Sequence, residues 1–352
     1  MNSKASPVML VARRSSPPFD WALVSSLSLL LFCIAVSLTI GRYPISLWQL
    51  AQFICQGHGL AALSPQDSQL LSQIITNARL PRIIAAVLVG AGLSVSGAAY
   101  QGVFRNPLAS PGLLGVLSGC AFGAAIGITL NLGGLWIPLL ASIAGLLAVA
   151  VGVGLSNLFS SASMLTLVLG GIVSNALFSS LLSITKYMAD PQDQLPAIVY
   201  WMLGSLSAVD RHALTLVGPV LLLSIVCMCL AGRAIDALSL SDDEAYSLGV
   251  PVRRIRYAVI ILATLISALT VSLAGMIGWV GLIIPHLARL VVGPNNSRLL
   301  PVSACFGAVF LIVADALART LSAGEIPLGT LTELLGALAF VMLLKRARRG
   351  WL

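Results

Sequence analysis

Apolar residues run along this chain in long unbroken blocks instead of alternating with polar ones. Ten such blocks stand out, at about 21–41, 82–103, 112–132, 135–157, 163–185, 212–232, 255–275, 279–293, 299–318 and 329–345. Most are close to 20 residues, the length of an α-helix that crosses about 30 Å of hydrocarbon. A barrel strand would alternate over about ten residues, so the pattern predicts an all-α, polytopic membrane protein. The eighth block is short and carries Pro285, which predicts a kink or a restart there. The first is too long for a signal-peptide core and is followed by no clear small-residue cleavage site, so it reads as a retained span. Two connections are too long for turns. Residues 42–81 are expected to hold a short surface helix at 46–56. Residues 186–211 contain ADPQDQLPAIVYWMLGSL, whose prolines and aspartates rule out a simple span.

Composition agrees with the pattern. The chain is 58% hydrophobic and 9% charged, whereas soluble domains are about 25% charged. An even number of spans puts both ends on one side, and charge bias selects that side. With the N-terminus inside, fourteen of the 20 lysines and arginines fall on inner segments. Both ends are therefore expected in the cytoplasm. Residues 1–20 then form a cytoplasmic segment, 21–345 a transmembrane domain and 346–352 a basic cytoplasmic tail suited to an anionic leaflet. The formal charge of +8 is explained by topology and calls for no nucleic acid. The six cysteines form no CxxC pair and read as small apolar residues, with no metal site and no cofactor implied. No GxxxxGK[ST] loop is present, so ATP is not expected to bind here in that manner.

Several segments depart from the oily background. FRNPLASPG (104–112) joins the second and third spans. Its Asn106-Pro107 and Ser110-Pro111 pairs read as two successive helix starts in a stiff cytoplasmic corner, with Arg105 satisfying backbone and lipid headgroups. In the loop at 233–254, Ser241 and Glu244 form a capping box. Asp242, Asp243 and Glu244 load the first turn with negative charge, and Gly249 and Pro251 end the helix. A helix of about two turns cannot span a bilayer. It either docks a soluble partner or lies on the membrane surface as a connector.

Other polar positions have both plain and functional readings. Arg79 and Arg82 flank Pro81 at the outer mouth of the second span, and Arg319 follows Asp315 at i, i+4. They are either snorkelling or salt-bridged groups, or an outer cationic face able to grip a partner's carboxylates. Gly171, Asn175, Ser179 and Ser183 make a stripe on the fifth span, fit either for helix packing or for lining a watery path. Glu333 is an acid inside the last span and calls for a partner or a path. His286 and Arg289 share a face at a span end, but one histidine makes no metal site. No clustered His, Cys, Asp and Glu set suggests an enzyme.

Taken in order, RLPR (79–82), GAGLSVSGAAYQGVFRNPLASPGLLGV (90–116), WMLGSL (201–206), LSLSDDEAYSLGV, GWVGLIIPHLARL, LLPVSACFGAVFLIVADALAR and EIPLGTLTELLGALAF resemble the permease subunits of bacterial importers for iron–siderophore, haem and cobalamin. The resemblance covers nearly the whole chain from about residue 25. It implies ten spans in the fold of a type II ATP-binding-cassette importer permease, located in the bacterial inner membrane. It also implies two cytoplasmic ATP-binding subunits, a periplasmic substrate-binding protein and a second permease copy, with cargo moved by alternating access. The coupling element corresponds to 241–249, including Ala245 and Leu248, and the outer arginines to Arg79, Arg82 and Arg319. The chain departs from the family pattern at Leu338, where proline is usual, at Trp279, where phenylalanine is common, and at Glu333. The cargo expected is a metal chelate. A metal oxyanion such as molybdate is the alternative, and an ion-coupled secondary transporter is a more distant one.

Overall fold

The computed structural model describes residues 21–41, 43–56, 64–158, 164–207, 209, 211–322 and 324–349. The expected segment 1–20 and the last residues of the basic tail lie outside them. Fifteen α-helices are present among these residues. They are α1 Trp21–Thr39, α2 Leu47–Gln56, α3 Pro65–Ser72, α4 Leu80–Phe104, α5 Val116–Thr129, α6 Trp136–Leu158, α7 Met164–Met188, α8 Gln194–Leu203, α9 Arg211–Leu230, α10 Gly232–Ala237, α11 Asp242–Ser247, α12 Val252–Ala274, α13 Val280–Val292, α14 Asn296–Thr320 and α15 Leu328–Arg349. Each of the ten predicted blocks contains one helix. Seven helical runs are long and apolar enough to cross a membrane, while α5, α13 and α15 offer shorter apolar stretches.

The helix α4 is the centre of the molecule. Twenty of its 25 residues are buried, and α14, α12, α13 and α9 pack around it. Its sequence explains why. GAGLSVSGAA presents small side chains on every face, which lets neighbouring backbones approach closely where lipid supplies no hydrophobic drive between helices. A Cβ on Gly90 would overlap the Gly307 carbonyl of α14, and one on Gly97 would overlap the Gly281 carbonyl of α13. The buried Tyr100 hydroxyl bonds Thr264 of α12 at 2.8 Å. By contrast α1 lies at the periphery, with Leu31 and Phe32 each about two-thirds exposed (66% and 65%), as expected of a lipid-facing helix.

Local chemistry accounts for the departures from a simple bundle. The 42–81 connection holds more than the expected surface helix. Ser46 and Gln49 cap α2 reciprocally. A second helix, α3, then continues through a π-helical stretch, Gln73–Arg79, straight into α4. That wide turn lies just before Pro81, which has no N–H to give and needs room for its ring. Pro285 neither breaks nor restarts its helix, because α13 runs through it. The 186–211 connection contains the ten-residue α8, entered through a turn in which Asp190 accepts from the Gln192 and Asp193 backbone N–H groups. It leaves through Gly204 at φ 73°, whose backbone N–H donates to the Trp201 carbonyl and closes the turn.

The corner FRNPLASPG differs from expectation at one of its two proline pairs. Arg105 ends α4 in the left-handed region at φ 48°. Asn106 does not start a helix. Its side chain accepts from Leu108 N at 2.9 Å, which makes a compact turn. Ser110-Pro111 does start one, a single 3₁₀ turn Pro111–Leu114, and Gly115 at φ 81° then redirects the chain into α5.

The close helix crossings yield a test. Gly97→Leu forces α4 away from α13, and overpacking of this kind costs about 1–3 kcal/mol. The detergent-solubilised variant should therefore unfold at a lower temperature than the parent. Gly154→Leu, where an added Cβ meets nothing within 4 Å, should leave the transition in place.

Candidate functional site

Two polar centres occupy opposite ends of α4. The first is built on α11. Six residues, Asp242–Ser247, form this helix, and both halves of its capping box are present. The Ser241 backbone donates to Glu244 Oε2 at 3.0 Å, and the Glu244 backbone donates to Ser241 Oγ at 3.3 Å. Gly249, at φ 76°, and the bond from Val250 N to Ala245 O terminate it. Ala245 is fully buried and seats the helix on the bundle. Asp243, Glu244, Tyr246, Leu248 and Gly249 face outward, and Leu248 is 71% exposed.

Asp242 fixes this helix to the rest of the molecule. Its carboxylate receives Arg105 Nη2 at 2.6 Å and Arg256 Nη2 at 2.8 Å. Arg105 also donates to the Leu238 carbonyl at 2.7 Å. The expectation for Arg105 is thus half met: it satisfies backbone, but its second partner is a carboxylate and not a lipid headgroup. Partial burial works to raise the Asp242 pKa. The bonds from Arg256 and Arg105 outweigh it and hold the group below the usual carboxylate range. Glu244 is also held low, by the Ser241 hydroxyl and backbone N–H.

The second centre, at the start of α4, gathers residues from three helices and a loop. Arg82 Nε meets Asp315 at 2.8 Å, and its guanidinium forks onto Glu325 at 3.1 and 3.3 Å. Arg319 Nε lies 3.0 Å from the other Asp315 oxygen, so the i, i+4 pair expected from the sequence forms. Arg319 also reaches Ser37 Oγ at 3.1 Å and the Ile40 carbonyl at 3.3 Å. Arg79 donates to the backbone carbonyls of Leu38 and Tyr43. All three arginines are therefore turned into the protein. Asp315 is 2% exposed, and in so dry a place each charge has to be matched. The forked contacts that the sequence suggested for a partner are made here by Asp315, Glu325 and backbone of the same chain.

The stripe on α7 separates into two roles. Gly171 is buried, with no room for a Cβ against the Leu113 carbonyl, so packing is its task. Asn175 and Ser183 are exposed, Ser179 is half-buried, and Ser183 bonds the Ser179 carbonyl. Glu333 is exposed on α15. Beside it, Trp279 stands at φ 67° in the left-handed region and meets Phe340 edge to face, with ring centres 5.9 Å apart. Arg289 bonds Gln101 of α4, and among the described residues no group of three or more His, Cys, Asp and Glu could hold a metal ion.

Sequence reasoning singled out α11 from its caps, but it missed the roles of Arg256 and Glu325. Their partners lie 14 and 243 residues away, and no periodicity reports such distances.

A bundle of long apolar helices of this kind is the architecture of a multi-pass membrane protein. The chain belongs to the FecCD transport family, whose model matches residues 29–346. It is 40% identical to the molybdate import system permease protein MolB of Haemophilus influenzae over 332 residues, 92% of this chain and 94% of that one. It is 40% identical to a probable iron chelatin transport system permease of Helicobacter pylori over 81% of this chain and 86% of that one. It is 37% identical to the hemin transport system permease protein HmuU of Yersinia pestis over 77% of this chain and 83% of that one. A solved inward-facing structure described as a metal-chelate type ABC transporter superposes with a TM-score of 0.82 at 37% identity, covering 92% of this chain and 98% of that one. The fold is that of a type II importer permease. The chain is a transport component and not a catalyst, and ATP hydrolysis belongs to a separate subunit.

Two tests follow from the charge centres. Asp315→Ala leaves the buried Arg319 guanidinium without its carboxylate and Arg82 with Glu325 alone, and should cost about 3–5 kcal/mol, seen as an earlier thermal transition in detergent. For Asp242 the folded pKa lies below the unfolded one. Its contribution is therefore complete above the ordinary carboxylate value, about 3.9, and is lost as pH falls through the lowered folded value. The difference in thermal stability between the parent and Asp242→Asn should be constant from neutral pH to about pH 5 and shrink below about pH 4.

Proposed function

We propose that this chain is the membrane-embedded half of an ATP-driven importer in the bacterial inner membrane, with both termini cytoplasmic. Its cargo is a metal chelate of the ferric-siderophore, haem or cobalamin type, delivered by a periplasmic binding protein. Two copies of the chain pair with two cytoplasmic ATP-binding subunits, and alternating access moves the cargo inward. The observation that carries the reading is α11. It is a pre-formed helix, anchored through Asp242 to the ends of α4 and α12, that presents Asp243, Glu244, Tyr246 and Leu248 outward. A surface connector needs no such anchorage, whereas a lever does. ATP can shift the two access states only through differential contacts, and α11 supplies a place for them.

The iron chelatin and hemin permeases among the relatives support a chelate cargo. The similarity to MolB over nearly the full chain favours a second reading, import of a metal oxyanion such as molybdate. An ion-coupled secondary transporter would draw on Glu333 and Asp315, and it is disfavoured because Asp315 is held between Arg82 and Arg319 and because that reading leaves α11 without a role. On the outer side, Arg82 is the arginine best placed to exchange carboxylates with a binding protein, since its Glu325 partner is 26% exposed. Arg79 and Arg319 brace the chain behind it.

Asp243→Lys with Glu244→Lys should detach the ATP-binding subunits in co-purification while leaving the permease folded. In proteoliposomes, uptake should require ATP. Uptake driven by an ion gradient alone, or full attachment of the ATPase to the doubly substituted chain, would contradict the proposal.

A further inference from the structure

Two helices of the bundle are too short to cross a bilayer, and the segments around their starting points line one cavity. The α5 helix has 14 residues and α13 has 13. The chain enters α5 through Gly115 at φ 81°, and α13 through Gly275 at φ 70° and Trp279 at φ 67°. A bulky residue in the left-handed region is strained and persists only where its surroundings hold it. Here Phe340 holds the indole, and Gly336 makes room for it. The two breaks enclose a cavity of about 250 Å³ with Ser110, Leu93, Ser267 and Glu333 also on its wall. Leu93 lies near the middle of α4, so the cavity lies deep within the bundle. Interrupted helices that meet deep in the membrane form substrate sites in other transporter folds.

Glu333 is the charged group of this cavity, and no lysine or arginine lines it. Among the described residues Glu333 makes no hydrogen bond and no ion pair. Its Oε1 lies 3.5 Å from where a Cβ on Gly278 would stand, so the carboxylate abuts the break leading into α13. An exposed, unpaired carboxylate within a span has to face water, a partner or a passing solute. The combination of one acid, an indole face and small polar hydroxyls suits a cation or a hydrogen-bond donor. It opposes a free anion.

We propose that Glu333 is a charge filter on the translocation path. It contacts cargo passing between the α5 and α13 breaks, favours cationic or proton-donating chelates and disfavours tetrahedral oxyanions. This rests on the importer reading and weighs against its oxyanion alternative. It also replaces the α7 stripe as the centre of the path, leaving Asn175 and Ser179 at its margin.

The test uses the full chain with its ATP-binding subunits in proteoliposomes and a reporter, Ser110→Cys, on the cavity wall. Cationic and anionic methanethiosulfonates of similar size are applied separately, and peptide mass reads modification at residue 110. The cationic reagent should react faster. The ratio of the two rates should fall about tenfold in Glu333→Gln and be retained in Glu333→Asp. A ratio that ignores residue 333, or no reaction with either reagent, overturns the proposal. Repeating the measurement with ATP and vanadate separates the two claims. Rates that ignore nucleotide while the ratio still follows residue 333 count against the importer reading and leave the filter standing.

Discussion

Asp242 lies where the short helix α11 meets the bundle of long apolar helices, and it accepts arginines from two sides. Arg105 comes from the end of α4 and Arg256 from the first turns of α12. Without this carboxylate, α11 would be a six-residue helix attached by its backbone, a buried alanine and little else. Helices so short are not stable by themselves. With it, any force applied to the outward face of α11 is delivered to the two most buried long helices of the molecule. The capping box matters for the same reason, because it places Asp242 in the first turn with its carboxylate aimed at both guanidiniums.

The central helix is clamped in the same way at its other end. Arg82, in the first turn of α4, is held by Asp315 from α14 and by Glu325 from the following loop. Between the clamps, α4 touches α14 and α13 through glycines that leave no space for a side chain. A helix fixed by charge at both ends and packed backbone to backbone in between transmits a displacement without absorbing it. Packed interfaces of this kind have discrete arrangements and do not deform continuously. The α4 helix thus joins the two charge centres rigidly, and the cavity beside Glu333 lies along it.

Much of this was legible in the sequence. Apolar block length located the helix in each block to within a few residues, and the Ser241-x-x-Glu244 spacing located α11. The i, i+4 rule found Asp315 with Arg319. What escaped was everything that depends on distant residues meeting. The spacing of Arg105 says nothing of Asp242, 137 residues away, so a lipid headgroup looked an adequate partner. The same blindness hid the groups that Arg79 and Arg82 already hold, backbone carbonyls for the first and Asp315 with Glu325 for the second. The π-helical entry to α4 was hidden because Pro81 reads equally well as a first-turn residue. Glu333 was conspicuous as an acid in a span, but only the fold shows that it stands at the junction of two broken helices.

The central claim is that Asp242 carries motion, and not merely stability, from the ATPase side to the bundle. The direct measurement is the ratio of cargo taken up to ATP hydrolysed, in proteoliposomes holding the complete transporter with loaded binding protein. For Asp242→Asn the account predicts an attached and active ATPase with uptake per ATP reduced about tenfold, within the usual range of coupling energies. An unchanged ratio, with uptake and hydrolysis falling together or not at all, would contradict it.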